Sequence, residues 1–192
     1  MKKLFWGFFF IYLNFNLNVN AHSLNVLPDF VGYILLLQGM KQLEEESHFF
    51  RSGRPFAVGM TVYTAILWVG ALLGVTAGGR VGSILDLIAL AVSFYVSWLL
   101  VQGVLEMETE KAVDLNGRRV YQWWKGMLII QLAIQVLRLM ANLVNVSVLL
   151  SVAGVLVVVN IVLIILYLLA WNRTANAYEA QAEQRAAGPD IE

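Results

Sequence analysis

The sequence predicts an all-α polytopic membrane helix bundle of about six transmembrane helices, the first two of them short. Three observations carry this prediction: 59% of the 192 residues are apolar, only 14% are charged, and long uncharged stretches separate the charges. A soluble globular domain averages about 45–50% apolar and about 25% charged residues, and one of this length could not bury the excess. The composition therefore excludes a soluble enzyme and a disordered tail, and the zero net charge excludes a nucleic-acid binder.

The apolar stretches set the positions of the spans, because a bilayer core of about 30 Å needs about 20 helical residues. The stretch over 126–171 is too long for one span, and Asn142, Asn145 and Ser147 mark the turn at which it folds back. We predict a single transmembrane bundle over 1–172 and a cytoplasmic tail over 173–192. The approximate spans are 4–20, 28–43, 55–78, 81–105, 126–144 and 148–171.

The first third of the chain is less regular than the rest. Residues 4–13 are strongly apolar but form only about 15 Å of helix, and residues 14–20 then alternate strictly between Asn and an apolar residue. This period-two pattern favours extended chain with one wet face. Pro28 and Asp29 are typical of the helix start that follows. The two short segments are either two tilted spans or a half-span that re-enters the membrane.

An alternative interpretation treats residues 1–21 as a cleaved signal peptide. Lys2 and Lys3, a short apolar core and a small residue at Ala21 are typical of such a peptide. The polar stretch after the core is long for one, and cleavage would leave one span fewer.

The Lys and Arg residues predict the orientation. With six spans and Lys2 and Lys3 in the cytoplasm, nearly all basic residues lie on the cytoplasmic side, whereas Arg80 lies outside and Arg138 within a helix. Positive loops stay in the cytoplasm, so we expect a multi-pass protein of the bacterial inner (plasma) membrane with both termini cytoplasmic. The aromatic residues expected at the inner boundary are Tyr121, Trp123, Trp124, Tyr167 and Trp171.

Polar residues recur on one face of the predicted fifth helix. Steps of three and four residues keep them on that face, and they are Gln131, Gln135, Arg138, Asn142 and Asn145. An unpartnered polar group facing lipid costs several kcal/mol, so this polar stripe is expected to face the bundle interior. Its side chains either form hydrogen bonds with neighbouring helices or line a hydrated cleft.

Arg138 is the most costly member of the stripe, since an arginine within a span costs at least about 2.5–3.5 kcal/mol unless it is paired or hydrated. Asp86 on the fourth helix is expected at a similar depth below the outer boundary, so we predict an Asp86–Arg138 ion pair. In a sharper form of this hypothesis, Arg138 binds an anionic group while Asp86 holds it in place. Asp29 either stabilises the start of its own helix or joins Asp86 around Arg138.

The third and sixth helices carry further signals. Gly70, Gly74 and Gly78 are four residues apart, a spacing that lets a neighbouring helix approach closely, within the chain, in a homo-oligomer or with a membrane protein partner. The sixth helix is expected to be a lipid-facing wall in which Asn160 is the one strongly polar mid-span residue. Good helix formers over 176–187 are expected to continue it into the cytoplasm until Gly188 and Pro189.

Residues 27–35, Leu-Pro-Asp-Phe-Val-Gly-Tyr-Ile-Leu, resemble an LPDFxGY motif of small multi-pass bacterial membrane proteins with no assigned activity. The resemblance covers about the first fifty residues and implies class and compartment only. The size and the six spans are also similar to the substrate-binding subunits of energy-coupling vitamin transporters. Those subunits carry an Ala-xxx-Ala contact motif in the first helix, whereas residues 4–17 contain no alanine.

Two classes of function follow from these features. In the first, the chain is a small-solute binding or transport component, in which a polar cleft opens outward, Asp86 balances the charge and the lining residues are Gln131, Gln135, Arg138 and Asn142. In the second, it is a non-catalytic membrane partner such as an assembly, immunity or regulatory subunit. The sequence contains no glycine-rich phosphate loop, paired-His metal spacing or nucleophile elbow. We therefore predict no enzyme activity, cofactor or metal, and the bilayer and a small polar or anionic solute as partners.

The predicted ion pair gives a first test. We expect Asp86→Arg and Arg138→Asp each to lower the yield of folded protein, because each places two like charges at one depth in the membrane. The double exchange should restore the yield, measured as monodisperse protein by size-exclusion chromatography after detergent extraction. A double variant no better than either single variant would contradict the pairing.

Overall fold

The computed structural model describes the backbone of residues 1–12, 16–19, 22–25, 28–74, 79–139 and 146–187, and side chains over 1–12, 28–74, 81–137 and 151–185. This part of the chain is an all-α bundle with one short hairpin. The helices are α1 (Lys2–Tyr12), α2 (Asp29–Leu43), α3 (His48–Leu72), α4 (Gly79–Lys111), α5 (Gly117–Leu139) and α6 (Val146–Ala187). Each helix packs against the next in sequence and α6 also packs against α1, so the helix contacts close into a ring.

The hairpin occupies the segment whose alternation predicts extended chain. Strands β1 (Asn16–Val19) and β2 (His22–Asn25) pair antiparallel, with Asn16 opposite Asn25. Within the predicted first span, 4–20, the structure describes a helix to Tyr12 and a strand over Asn16–Val19.

The structure contains three helices that are long and apolar enough to cross a membrane, within the part of the chain that it describes: His48–Leu72, Val81–Lys111 and Ser151–Arg185. Helices α1 and α2, with 11 and 15 residues, are shorter than a bilayer core requires. Helix α5 carries Arg118, Arg119 and Lys125 in its first turns. The chain is thus a membrane protein by its apolar helices, and the crossing of the membrane by the other three helices stays a prediction.

Two helix ends differ in an instructive way from the predicted spans. Helix α3 begins at His48, well before Pro55, because Ser47 caps it by accepting a hydrogen bond from the Phe49 N–H at 3.2 Å. Pro55 lies inside the helix rather than at its first turn. Helix α6 continues to Ala187, as its composition predicts, while the stop at Gly188 and Pro189 lies outside the described residues.

Packing is concentrated at one end of the bundle. The buried side chains of α3 lie in its first half, those of α5 in its first three turns and those of α6 from Tyr167 onward. We call this the packed end, and it holds the loops at 44–47 and 112–116. The opposite end, where α3 ends and α4 begins, exposes large apolar side chains such as Ile66 and Val81, and we call it the open end.

The loop between α4 and α5 ties three helices together at the packed end. The Glu108 carboxylate accepts hydrogen bonds from the backbone N–H groups of Leu115 and Gly117, at 2.8 and 2.7 Å. The buried Thr174 hydroxyl of α6 donates to the Leu115 carbonyl at 2.7 Å. These bonds satisfy loop backbone groups that burial removes from water, and they fix the start of α5 against α6.

The residues that resemble the LPDFxGY motif connect α2 to three neighbours. The Phe30 ring meets the Trp68 ring of α3 edge-on, at 5.6 Å between centroids. The Tyr33 hydroxyl donates to Ser93 Oγ of α4 at 2.9 Å. A Cβ added at Gly32 would lie 2.7 Å from the Gly7 carbonyl oxygen of α1. The motif is therefore a set of packing contacts in this fold.

A close helix approach occurs at Gly7 and Gly32, and Gly74 does not lie on a helix face as predicted, whereas a contact at Gly70 stays a prediction. Gly74 follows the end of α3 and has φ of 71°, a conformation that ends helices and favours glycine. It therefore terminates the helix instead of lying on its face, and Gly78 lies outside the described residues. The small-residue contact is between α1 and α2, where Gly7 and Gly32 meet.

This contact predicts a sharp size limit at Gly32. Gly32→Ala should lower the melting temperature of the detergent-solubilised protein, because its methyl group would press on backbone atoms, and overpacking costs about 1–3 kcal/mol. Gly59→Ala is the matched control, since its methyl group would meet no atom within 4 Å. We expect that control to be stabilised, by about 0.5–1 kcal/mol, through helix propensity. Equal melting temperatures for the two variants would contradict the contact.

Candidate functional site

Two glutamines of the predicted stripe lie on the face of α5 that carries buried residues. Gln131 and Gln135 continue the face of α5 that begins with the buried Trp124 and Met127, at steps of three and four residues. Both glutamines are half-buried. The opposite face is apolar and exposed, with Ile129 at 64% exposure. Their half-burial is compatible with the interior position expected for these two residues, which stays a prediction.

Asp86 lies on the helical face of α4 that carries Ser93 and Ser97. Seven and eleven residues after it come Ser93 and Ser97, which share its helical face. Ser97 is buried and its hydroxyl forms a 2.8 Å hydrogen bond with the Tyr167 hydroxyl of α6. Asp86 itself is exposed. Since one face of α4 passes from buried to exposed toward the open end, the bundle interior becomes accessible there.

Asn160 is a polar interior residue that sequence reasoning placed on a lipid-facing wall. It lies seven and eleven residues before Tyr167 and Trp171, and both of these aromatic side chains are fully buried. Asn160 is half-buried, whereas its neighbour Ile161 is exposed. The sequence alone shows that Asn160 shares a helical face with the two aromatic residues. Only the burial of those residues shows that this face is directed toward the other helices.

Helix register places Asp86, Gln131 and Asn160 within about 5 Å of one another along the bundle axis. The Phe94 ring of α4 and the Trp124 ring of α5 lie 6.4 Å apart, which sets these two residues at one level. Eight residues from that level toward the open end, about 12 Å along each helix, lie Asp86 on α4 and the residue after Gln131 on α5. Between α5 and α6, Gly126 lies against Leu163. From that contact Asn160 and Gln131 lie about 4.5 and 7.5 Å toward the open end. Gln135 lies one turn, about 6 Å, farther toward the open end than Gln131. We call the site that we predict from Asp86, Gln131, Gln135 and Asn160 the polar cleft.

An aromatic cluster closes the bundle below the polar cleft. The Tyr167 ring meets Phe8 and Tyr12 of α1 at 5.3 and 5.9 Å, and Trp171 of α6 at 6.3 Å. We call Phe8, Tyr12, Tyr167 and Trp171 the aromatic floor. Tyr167 and Trp171, like Trp124, are expected at the inner boundary of the membrane and are buried within the bundle. Burial identifies the inward face of each helix and does not test depth, so the boundary position stays a prediction.

The remaining predicted site residues have separate outcomes. The side chain of Arg138, and all of Asn142 and Asn145, lie outside the described residues, so the Asp86–Arg138 pair stays a prediction. Asp86 is close enough to Tyr63 of α3 to act on its hydroxyl electrostatically. Asp29 is the first residue of α2, where a carboxylate stabilises the helix dipole. The described Asp, Glu and His residues form no group of three that could hold a metal.

Comparisons with known proteins add nothing to this geometry: no family model matches the chain, and no curated protein or solved structure matches it. A function must therefore be argued from the residues themselves.

Chemical cross-linking tests the register that defines the cleft. We expect Gly126→Cys and Leu163→Cys together to be joined by a short dimaleimide, because position 126 points at the Leu163 side chain. Gly126→Cys with Leu169→Cys is the control, since Leu169 is exposed and about 9 Å farther along α6. Intact mass before and after denaturation reports the link. Coupling of the control pair alone would contradict the register.

Proposed function

We propose that this chain is a multi-pass protein of the bacterial plasma membrane that binds a small polar solute in a cleft open to the outside, as a binding or transport component. The observation that carries the proposal is the polar cleft itself. Asp86, Gln131 and Asn160 come from three helices, lie at depths within about 5 Å of one another, and are exposed or half-buried on the open-end side of the buried core.

The cost of polar groups in a membrane supports this interpretation. Ionisable and amide side chains within spans are rare and usually mark pathways or bound groups. Here they lie on the open-end side of the aromatic floor, where a few polar groups among apolar walls would suit a small-molecule site. Interhelical hydrogen bonds alone would place such residues in the packed core, where Ser93 and Ser97 already supply bonds of that kind.

The chemistry of the cleft indicates the class of solute. Amide side chains both donate and accept hydrogen bonds, so Gln131, Gln135 and Asn160 suit a solute with several hydroxyl, amide or carboxylate groups. Asp86 adds a negative charge, and Arg138, farther out along α5, is placed by sequence to balance it or to bind an anionic group of the solute.

The distribution of basic residues supports the outward direction of the cleft. The packed end carries Lys2, Arg54 and Lys111, paired with Glu179, Glu44 and Glu46 respectively. It also carries Arg119 and Arg173. Arg80, in contrast, lies at the start of α4, at the open end. Because basic loops stay in the cytoplasm, the packed end is assigned to the cytoplasm and the polar cleft to the outer half of the membrane.

A non-catalytic membrane partner is the second candidate. Only 11% of the most apolar window of α3, and 11% of that of α6, is buried within the chain. These helices therefore present apolar surface either to lipid or to another membrane protein.

Thiol accessibility separates the two candidates, because the chain has no native cysteine. We expect Gln131→Cys, Gln135→Cys and Asn160→Cys to react with a membrane-impermeant charged thiosulfonate added from outside intact cells, since reaction requires a hydrated thiolate. Met127→Cys in the core and Leu132→Cys on the lipid face are the controls, and should react about tenfold more slowly or less.

The outcomes are read by mass shift after purification. Cleft cysteines that stay as unreactive as the controls would contradict a wet cleft. If they become reactive only after detergent extraction, the membrane-partner function would be favoured instead.

A further inference from the structure

A cavity lies at the packed end, between the start of α5 and the later part of α6. Its volume is about 210 Å³, and its lining includes Arg119, Gln122 and Trp123 of α5 with Leu166, Leu169 and Arg173 of α6. The register set by Gly126 and Leu163 places Arg119 seven residues toward the packed end, level with the segment that holds Arg173. Two cations thus share one small cavity.

The two guanidinium groups have no carboxylate partner among the residues that the structure describes. The ion pairs found there join Lys2, His48, Arg54 and Lys111 to glutamates, and the lining of this cavity contains neither Asp nor Glu. Two like charges held together without a counter-charge are unfavourable. An anion would relieve that repulsion, and guanidinium groups bind phosphate through paired hydrogen bonds.

The apolar side of the cavity points to the source of the anion. Leu169 is half exposed and lies one turn before Arg173, and Leu166 lies one turn earlier, on the helix with the highest mean hydropathy. The cavity therefore lies where the apolar part of α6 meets its charged continuation. A free phosphate ion would leave the leucines bare, whereas a phospholipid places its phosphate at the arginines and its acyl chain along the leucines.

The geometry points to a binding site for the headgroup of an anionic phospholipid between α5 and α6, with Arg119 and Arg173 as the phosphate ligands. Gln122 and the Trp123 indole N–H supply hydrogen-bond donors for the glycerol and ester oxygens. Basic pockets between helices at the cytoplasmic membrane surface are typical of such headgroup sites. A bound lipid would also join α5 to α6 at the end opposite the polar cleft.

The test uses the full-length protein in neutral detergent, with phosphatidylglycerol, phosphatidylcholine or inorganic phosphate as the probe. We expect phosphatidylglycerol alone to raise the melting temperature and to remain bound in native mass spectrometry. Arg119→Gln with Arg173→Gln should weaken phosphatidylglycerol binding about tenfold to thirtyfold, because each basic residue near an anionic headgroup contributes to binding. High salt should weaken the effect in the wild-type protein.

The matched control is Arg51→Gln with Arg118→Gln, which removes the same charge from exposed residues outside the cavity. It should bind phosphatidylglycerol like the wild type. Equal loss in both double variants, or no preference for phosphatidylglycerol over phosphatidylcholine, would overturn the site. Equal stabilisation by inorganic phosphate would overturn the lipid as its source. Circular dichroism of both double variants confirms that they fold, and lipid retention in the mass spectrum is read on the folded fraction.

Discussion

The burial of Tyr167 is the interaction on which the rest of this structure depends. Its ring packs against two aromatic rings of α1, and its hydroxyl forms a hydrogen bond with Ser97 of α4. One side chain thus joins the first, fourth and sixth helices and closes the ring of helix contacts. A buried hydroxyl needs such a partner, because an unpaired polar group away from water costs free energy.

The inward orientation of Tyr167 sets the rotation of α6 about its own axis. Residues seven before and seven after it share its helical face, which turns Asn160 toward the polar cleft and Thr174 toward the Leu115 carbonyl. Arg173 follows on the adjoining face, where it meets the cavity shared with Arg119. The two sites that we propose therefore lie at opposite ends of the α5–α6 pair and depend on one helix rotation.

Polarity changes along the bundle axis in a physically consistent way. At the packed end, backbone groups of the loop at 112–116 are bound by Glu108 and Thr174, and charged side chains form ion pairs. In the middle, hydroxyl groups pair across helices within aromatic and aliphatic packing. Toward the open end, interior-facing polar side chains are only half covered by protein. The packed end is therefore stabilised by contacts within the chain, whereas the polar side chains toward the open end are accessible to a solute.

The sequence by itself determined the class of the protein and the order of its elements. Low charge and long apolar stretches predict the helix bundle, the Asn alternation predicts the strand at Asn16–Val19, and the composition after Asn176 predicts the length of α6. The sequence also predicts an inward face of α5 at Gln131 and Gln135, because these residues contrast with the apolar residues around them.

Only the tertiary structure decided which apolar face is inside. In a membrane helix, residues that face lipid and residues that face other helices are both apolar, so their periodicity does not show direction. The inward positions of Trp171 and Asn160, and the approach of α1 to α2 at Gly32, depend on the partner helices. The helix-ending conformation of Gly74 depends likewise on where the chain must turn, and four-residue spacing alone does not reveal it.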